Sequence, residues 1–286
     1  MNLDLFYITN RADAVQAAQN AGVTHIFIDL EKRGKEARQK HVNSVKSNHE
    51  VKDIIKLRPL INASKLLVRT DPVFEGTKQQ IDEVVAAGAD VVMLPMFKTR
   101  QEVEFFLRCL NGRAEAMLLL ETREAFENAA SILRLPGIDS LHIGLNDLHL
   151  SFGMDFMFEP LANGMVDQLA NLAARFRIPF GFGGIARLGQ GALPAEYILA
   201  EHKRLGSKQV ILSRSFLNLE TEQFPEGLDA AFGSRLAELR NFEATLEEKD
   251  GDYFRENREI AVRKIAEIAA RIREQKKNRS DGPSPG

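Results

Sequence analysis

The chain has 286 residues, with 38 Lys plus Arg against 40 Asp plus Glu and a net charge of −2, which excludes the strongly basic surface of a general nucleic-acid binder. Hydrophobic residues make up 44% and charged residues 27%, enough to bury a core, and no run approaches the roughly 18 apolar residues of a membrane span. The single cysteine, Cys109, excludes an intramolecular disulfide and a thiolate zinc cage, and the opening MNLDLFYIT lacks the pattern of a secretory signal, so a soluble cytoplasmic protein is expected.

In chain order, apolar and β-branched runs predict strands at 3–9, 24–31, 65–71, 90–96, 115–121, 140–147, 179–184 and 208–214. Four begin at 65, 90, 115 and 140, a regular beat that suits a βα unit. Their nearly continuous apolar character is that of strands covered on both faces. Helix signals fall between them. Asn10 followed by Asp13 reads as a cap, Thr99 with Glu102 as a capping box, and Thr122 as the cap of REAFENAASIL. Glycines in AGAD (87–90) and LPGID (135–139) end helices before the next strand. Eight strands alternating with helices predict a (β/α)8 TIM barrel over residues 1–217, with a doubly wound open sheet as the alternative. Residues 218–277 form a charged helical extension, in which Ala261, Ile265, Ile268 and Ile272 make a narrow apolar stripe suited to packing on the barrel or on a neighbouring subunit. The tail, 278–286, is polar, Gly/Pro-rich and expected to be disordered.

In a barrel of this kind chemistry belongs where strands end. Those ends carry Asp29, Glu31 and Lys32, then Arg69, Pro95, Glu121, Asp147, Arg187 and Arg214. Glu121 and Asp147 end neighbouring strands. Two close carboxylates repel unless a cation or proton lies between them, and an oxygen-ligated ion such as Mg2+ is the natural occupant; the alternative is a pair of helix caps. GFGGIA (181–186) matches a dinucleotide fingerprint only formally and reads better as a glycine turn that lets backbone approach a ligand. His25 and His142 fall inside strands as packing residues, and His149 is the only histidine placed near the mouth. The 18 Phe scatter over helices rather than forming a base-stacking platform.

LLLETREAFENAASILRLPGIDSLHIGLNDLHLSFG (118–153) closely resembles the E-T-x-x-A…PGID…IG-x-x-DL-x-x-x-G block of the HpcH/HpaI aldolase and citrate lyase beta-subunit family. GVTHIFIDLE (22–31), LLVRTDP (66–72) and AGADVVMLPMFKTRQEVE (87–104) resemble its other blocks in the same order, so the similarity spans about residues 20–217. The resemblance implies a barrel that binds Mg2+, Mn2+ or another divalent cation through Glu121 and Asp147. It implies a 2-keto acid or acyl-CoA-type substrate, reversible carbon–carbon cleavage through a metal-bound enolate, and a homo-oligomer, trimer or hexamer. Arg69 would contact the enolate oxygen, the backbone around Gly144, Asn146 and Asp147 would hold a carboxylate, and Asp29 and Glu31 would order metal waters or neighbouring basic groups.

The chain departs from the aldolase pattern in having Lys32 where a histidine base is usual and Leu119 where a glutamine is usual, and the loops after strands seven and eight match neither branch. Lys32 is then either a charged clamp for an anionic substrate or a base with depressed pKa. The reading is a metal-dependent carbon–carbon lyase, with Arg69, Lys32, Asp29 and Glu31 in catalytic roles and Arg187 and Arg214 as further substrate contacts. A phosphoenolpyruvate-handling transferase or mutase, for which Arg187 and Arg214 would bind phosphate, and a catalytically silent binding protein are the alternatives.

Overall fold

Alternate residues of each strand face the barrel interior, and this parity decides what reaches the mouth. In this computed structural model, which describes residues 1–34 and 48–280, eight parallel strands close into a barrel in sequence order. They are β1 (Asp4–Ile8), β2 (His25–Asp29), β3 (Lys65–Arg69), β4 (Val91–Leu94), β5 (Glu115–Leu120), β6 (Ser140–Ile143), β7 (Phe180–Ile185) and β8 (Gln209–Leu212). The helices between them are α1 (Ala12–Asn20), α2 (Val51–Leu57), α3 (Thr77–Ala86), α4 (Arg100–Leu110), α5 (Arg123–Glu127), α6 (Ala129–Ile132), α7 (Leu145–Ser151), α8 (Glu159–Ala162), α9 (Met165–Phe176) and α10 (Ala195–Leu205). Phe6, Phe27, Leu67, Val91, Met93, Met117 and Leu119 fill the barrel. A larger core, including Val15, Ile54, Ile81, Val103, Leu169 and Leu199, lies between strands and helices. The fold is therefore the expected (β/α)8 barrel rather than an open sheet. No helix among the described residues is long and apolar enough to cross a membrane.

Local chemistry explains the element ends. Thr99 accepts the Glu102 N–H at 3.3 Å while Glu102 Oε2 accepts the Thr99 N–H at 2.7 Å, the reciprocal box read from the sequence. Thr122 likewise accepts the Ala125 N–H at 3.1 Å. Thr99→Ala is expected to cost about 1 kcal/mol, read as a lower urea midpoint at unchanged slope; no shift would remove the box from the stability of α4. Asn10 is not a cap: Arg11 holds the N-cap position of α1, and Asn10 instead donates to Asp53 Oδ2 at 3.3 Å. The sixth strand is shorter than predicted, because Gly144 is the N-cap of α7 and puts Asn146 and Asp147 in the first helical turn.

GFGGIA is not a turn open to ligand. Its glycines lie within β7, where the register to β8 shifts between Gly181 and Gly184. A Cβ on Gly181 would lie 2.1 Å from the Gln209 carbonyl oxygen, so this glycine admits a neighbouring strand. Beyond β8 the charged extension is two helices rather than one, α11 (Leu228–Glu247) and α12 (Gly251–Ser280). The stripe turns toward the barrel's own helices: Ala261 and Ile265 are buried, and Ile268 and Ile272 pack half-buried against the same core. Arg258 pins α12, donating to the Leu161 carbonyl at 2.7 Å and to buried Glu201 at 3.2 Å. Residues 278–280 belong to α12 rather than to a disordered tail, and 281–286 lie outside the described residues.

The packed histidines make the barrel acid-sensitive. Burial holds His25 and His142 down to about 4 and lowers His202 further in the same direction. Because the folded pKa lies below the unfolded value near 6.5, the unfolded chain binds more protons between pH 6.5 and 4. Stability is thus complete above pH 6.5 and falls as pH drops toward 4, by roughly 3 kcal/mol for each of His25 and His142. Urea midpoints at pH 7.5, 6 and 5 check this; His142→Asn should flatten the slope, and an unchanged slope would rule His142 out.

Candidate active site at the barrel mouth

Asp29 and Arg69 are Cα partners across β2 and β3, so both side chains project to the same side of the sheet at its C-terminal edge. Arg69 donates from Nε and Nη2 to the two Asp29 oxygens, each at 2.8 Å, and Nη2 lies 3.5 Å from Glu31 Oε2. The guanidinium stands over the Phe27 ring at 5.7 Å. Burial works against its charge, but Asp29, Glu31 and Glu121 together outweigh that cost and raise its pKa above the ordinary arginine value. It is therefore a fixed positive charge, held in a fork geometry that lysine could not reproduce. Asp29 and Glu31 are both buried and act as the guanidinium's holders.

Glu121 reaches the mouth one residue beyond β5 and is 3% exposed. Its Oε1 accepts the Met96 N–H at 3.2 Å. Met96 follows Pro95 at the end of β4 with φ at 53°, a left-handed conformation that non-glycine residues adopt only when their surroundings enforce it. Gly144 provides the opposite wall: a Cβ there would stand 2.6 Å from Glu121 Oε2 and 2.9 Å from Glu121 Cβ. The missing methyl group is what lets Glu121 lie against the start of α7, where half-buried Asp147 sits one turn in. The Gly144 N–H is already given to the Leu120 carbonyl at 2.9 Å, so Gly144 makes room rather than binding a carboxylate. Asn146 and Asp147 are in the first turn, whose amides have no acceptor within the helix.

Among the described residues no group of three or more His, Cys, Asp or Glu side chains forms a metal cage. Glu121 and Asp147 offer carboxylate oxygens only, and His149 turns its Nδ1 to the Leu145 carbonyl at 3.2 Å. Two acidic oxygen donors that leave positions for water and substrate fit a hard divalent cation and fit soft metals poorly.

Lys32, Arg187 and Arg214 complete the expected site residues. Lys32 is exposed, its charge is felt by Glu50, and its backbone N–H, like that of Arg33, is held by Asp71 Oδ1 at 2.8 Å. Asp71 thereby turns the chain after Glu31 and carries the lysine outward. Arg187 lines a cavity of about 360 Å3 against Phe224 and Arg235 near α11. Arg214 is exposed and lines a different cavity, of about 400 Å3, between the ends of β1 and β8. The sequence reading missed His49, which is buried, lines that second cavity and accepts the Asp29 N–H on Nδ1 at 3.0 Å. It lies 20 residues after Asp29 with no motif around it, so no local signal marks it.

The family model for HpcH/HpaI aldolase/citrate lyase matches residues 3–157. No curated protein matches the chain. Among solved structures, an HpcH/HpaI aldolase from Desulfitobacterium hafniense DCB-2 is similar at TM-score 0.59 and 16% identity, covering 74% of this chain and 86% of that one. An HpcH/HpaI aldolase/citrate lyase family protein from Burkholderia cenocepacia J2315 gives 0.58 and 14%, covering 84% and 95%. RipC from Yersinia pestis gives 0.54 and 16%, covering 83% and 98%. At these identities the likeness is one of fold.

Proposed function

This chain belongs to the HpcH/HpaI aldolase/citrate lyase family, and from that premise we propose that it is a carbon–carbon lyase acting on a 2-keto acid or acyl substrate at the barrel mouth, with a divalent cation held by Glu121 and Asp147. The observation that carries the reading is the half-buried Arg69 guanidinium locked by Asp29 within electrostatic reach of Glu121. When bound, the cation would supply Lewis-acid stabilisation of negative charge on a keto oxygen. Arg69 supplies the protein's share: it is charged at every working pH and already oriented, so it can meet an enolate oxygen without reorganising. Asp29 and Glu31 position Arg69. The Asn146 and Asp147 amides favour a substrate carboxylate. Exposed Lys32 is not favoured as the base. Because Arg187 and Arg214 line different cavities, one phosphate gripped by both is not favoured either.

The test combines Mg2+ calorimetry with NMR of pyruvate C3 proton exchange, the half-reaction such a site should perform alone. Wild-type protein is expected to bind Mg2+ and exchange the protons, and Glu121→Ala and Asp147→Ala each to lose both while staying folded. Undiminished Mg2+ affinity in both variants would remove the site assignment.

A further inference from the structure

Among the described residues, those other than glycine with a left-handed backbone are Met96 at φ 53°, Asn111 at φ 50° and Arg177 at φ 57°. Asn111 and Arg177 are the C-caps of α4 and α9, where a left-handed residue is the ordinary way to end a helix. Met96 ends no helix. It stands two residues beyond β4, is half-buried and belongs to neither hydrophobic core. The conformation crowds its Cβ against the following carbonyl oxygen, so contacts from elsewhere in the fold must hold it.

The end of β5, the strand beside β4, holds this turn from both sides. Glu121 Oε1 accepts the Met96 N–H at 3.2 Å. The Thr122 hydroxyl donates to the Phe97 carbonyl at 2.8 Å and accepts the Ala125 N–H at the start of α5. The left-handed turn thus lies between two hydrogen bonds to consecutive residues, one the proposed metal ligand and the other a helix cap. Phe97 is buried and anchors the far side. Relaxing φ at Met96 to the ordinary negative range would swing the Met96 N–H and the Phe97 carbonyl relative to each other, so the two bonds could not both survive it.

We propose that Met96 is a positioning residue, whose left-handed turn delivers the backbone N–H that orients Glu121 as a ligand of the divalent cation. The inference rests on the proposed function for the presence of that cation. An N–H fixed by the turn restricts Glu121 before the ion arrives, so less ordering is left for binding to impose. Linkage makes the coupling reciprocal. A turn that leaves the left-handed region releases Glu121 and weakens the ion, and a bound ion that fixes Glu121 holds the turn.

Substitutions graded by their tolerance of positive φ test the turn. Glycine accepts it freely and asparagine more readily than most residues, whereas β-branched valine resists it. In Mg2+ calorimetry, Met96→Gly and Met96→Asn, which both discard the methionine side chain, should stay within about threefold of wild-type affinity. Met96→Val should bind at least about tenfold more weakly. A merely structural turn would rank thermal midpoints in the same order but leave Mg2+ affinity level in every variant that folds, and that result overturns the proposal. Losses in Met96→Gly and Met96→Asn as large as in Met96→Val overturn it too, because they place the effect in the side chain. If Met96→Val does not fold, the wild-type protein decides. With 15N-labelled methionine, the Met96 amide proton should shift on Glu121→Ala and should exchange with deuterium more slowly when Mg2+ is bound. An amide insensitive to either change overturns the proposal. Wild-type protein that binds no Mg2+ would instead overturn the divalent-cation reading, and this proposal with it; undiminished affinity in folded Met96→Val removes this proposal alone.

Discussion

Arg69→Met should lower the stability of the barrel by about 3–5 kcal/mol, because the guanidinium is removed from two carboxylates that stay buried. Asp29 and Glu31 are 2% and 3% exposed, so water cannot take over the lost partner without opening the strand ends. Restoring charge balance should restore the fold: Asp29→Asn combined with Arg69→Met should recover most of the loss, since the amide can be buried at lower cost than the carboxylate. Turnover should not return with it. Without the fixed positive charge, pyruvate proton exchange is expected to fall by about 100-fold or more in both proteins. Arg69→Lys should fold better than Arg69→Met yet remain impaired, because an ammonium cannot make the two 2.8 Å bonds of the fork. Urea unfolding and exchange kinetics on the same four proteins check the argument. A single-variant loss below about 1 kcal/mol would show the pair to be a surface-like salt bridge.

Gly144→Ala should remove metal affinity and activity while sparing the fold. The backbone at Gly144 has φ at −81°, which alanine adopts freely, so the substitution introduces no backbone strain. Its effect goes through the neighbour: the new methyl group would meet Glu121 Oε2 at 2.6 Å and Glu121 Cβ at 2.9 Å. The carboxylate tip can swing away, but the Cβ is tied to the end of β5 and cannot. Glu121 must therefore leave its bond with the Met96 N–H and its place beside α7. We expect Mg2+ affinity to drop at least tenfold, as for changes to residues that orient metal ligands, with pyruvate exchange lost in proportion and a thermal midpoint within a few degrees of wild type. Wild-type calorimetry in Gly144→Ala would mean that Glu121 does not need this position to hold the ion.

The sequence by itself determined an alternating β/α fold. Strands covered on both faces must be nearly continuous apolar runs, as 65–71, 90–96 and 115–121 are, which suits a barrel and a doubly wound sheet alike; closure of β1 onto β8 is what decides for the barrel. The Thr99–Glu102 box was legible because capping is a contact between residues three apart. Asp29, Arg69 and Glu121 could be placed at the mouth for a similar reason: the end of a strand is a local property, and in this fold all strand ends converge on one rim.

Tertiary structure decided which groups act on which. That Asp29 faces Arg69 follows from register between β2 and β3, which no pattern within either strand encodes. Lys32 follows two acids in sequence, yet Asp71, 39 residues away, turns the backbone and leaves its side chain exposed. His49 reaches the site through a bond to the Asp29 amide from a stretch with no periodicity or motif. The glycines of β7 matched a ligand-binding fingerprint, but their missing side chains accommodate Gln209 and Leu145. In each case the deciding contact joins residues distant in the chain, and its energy depends on burial and distance that exist only once the barrel has closed.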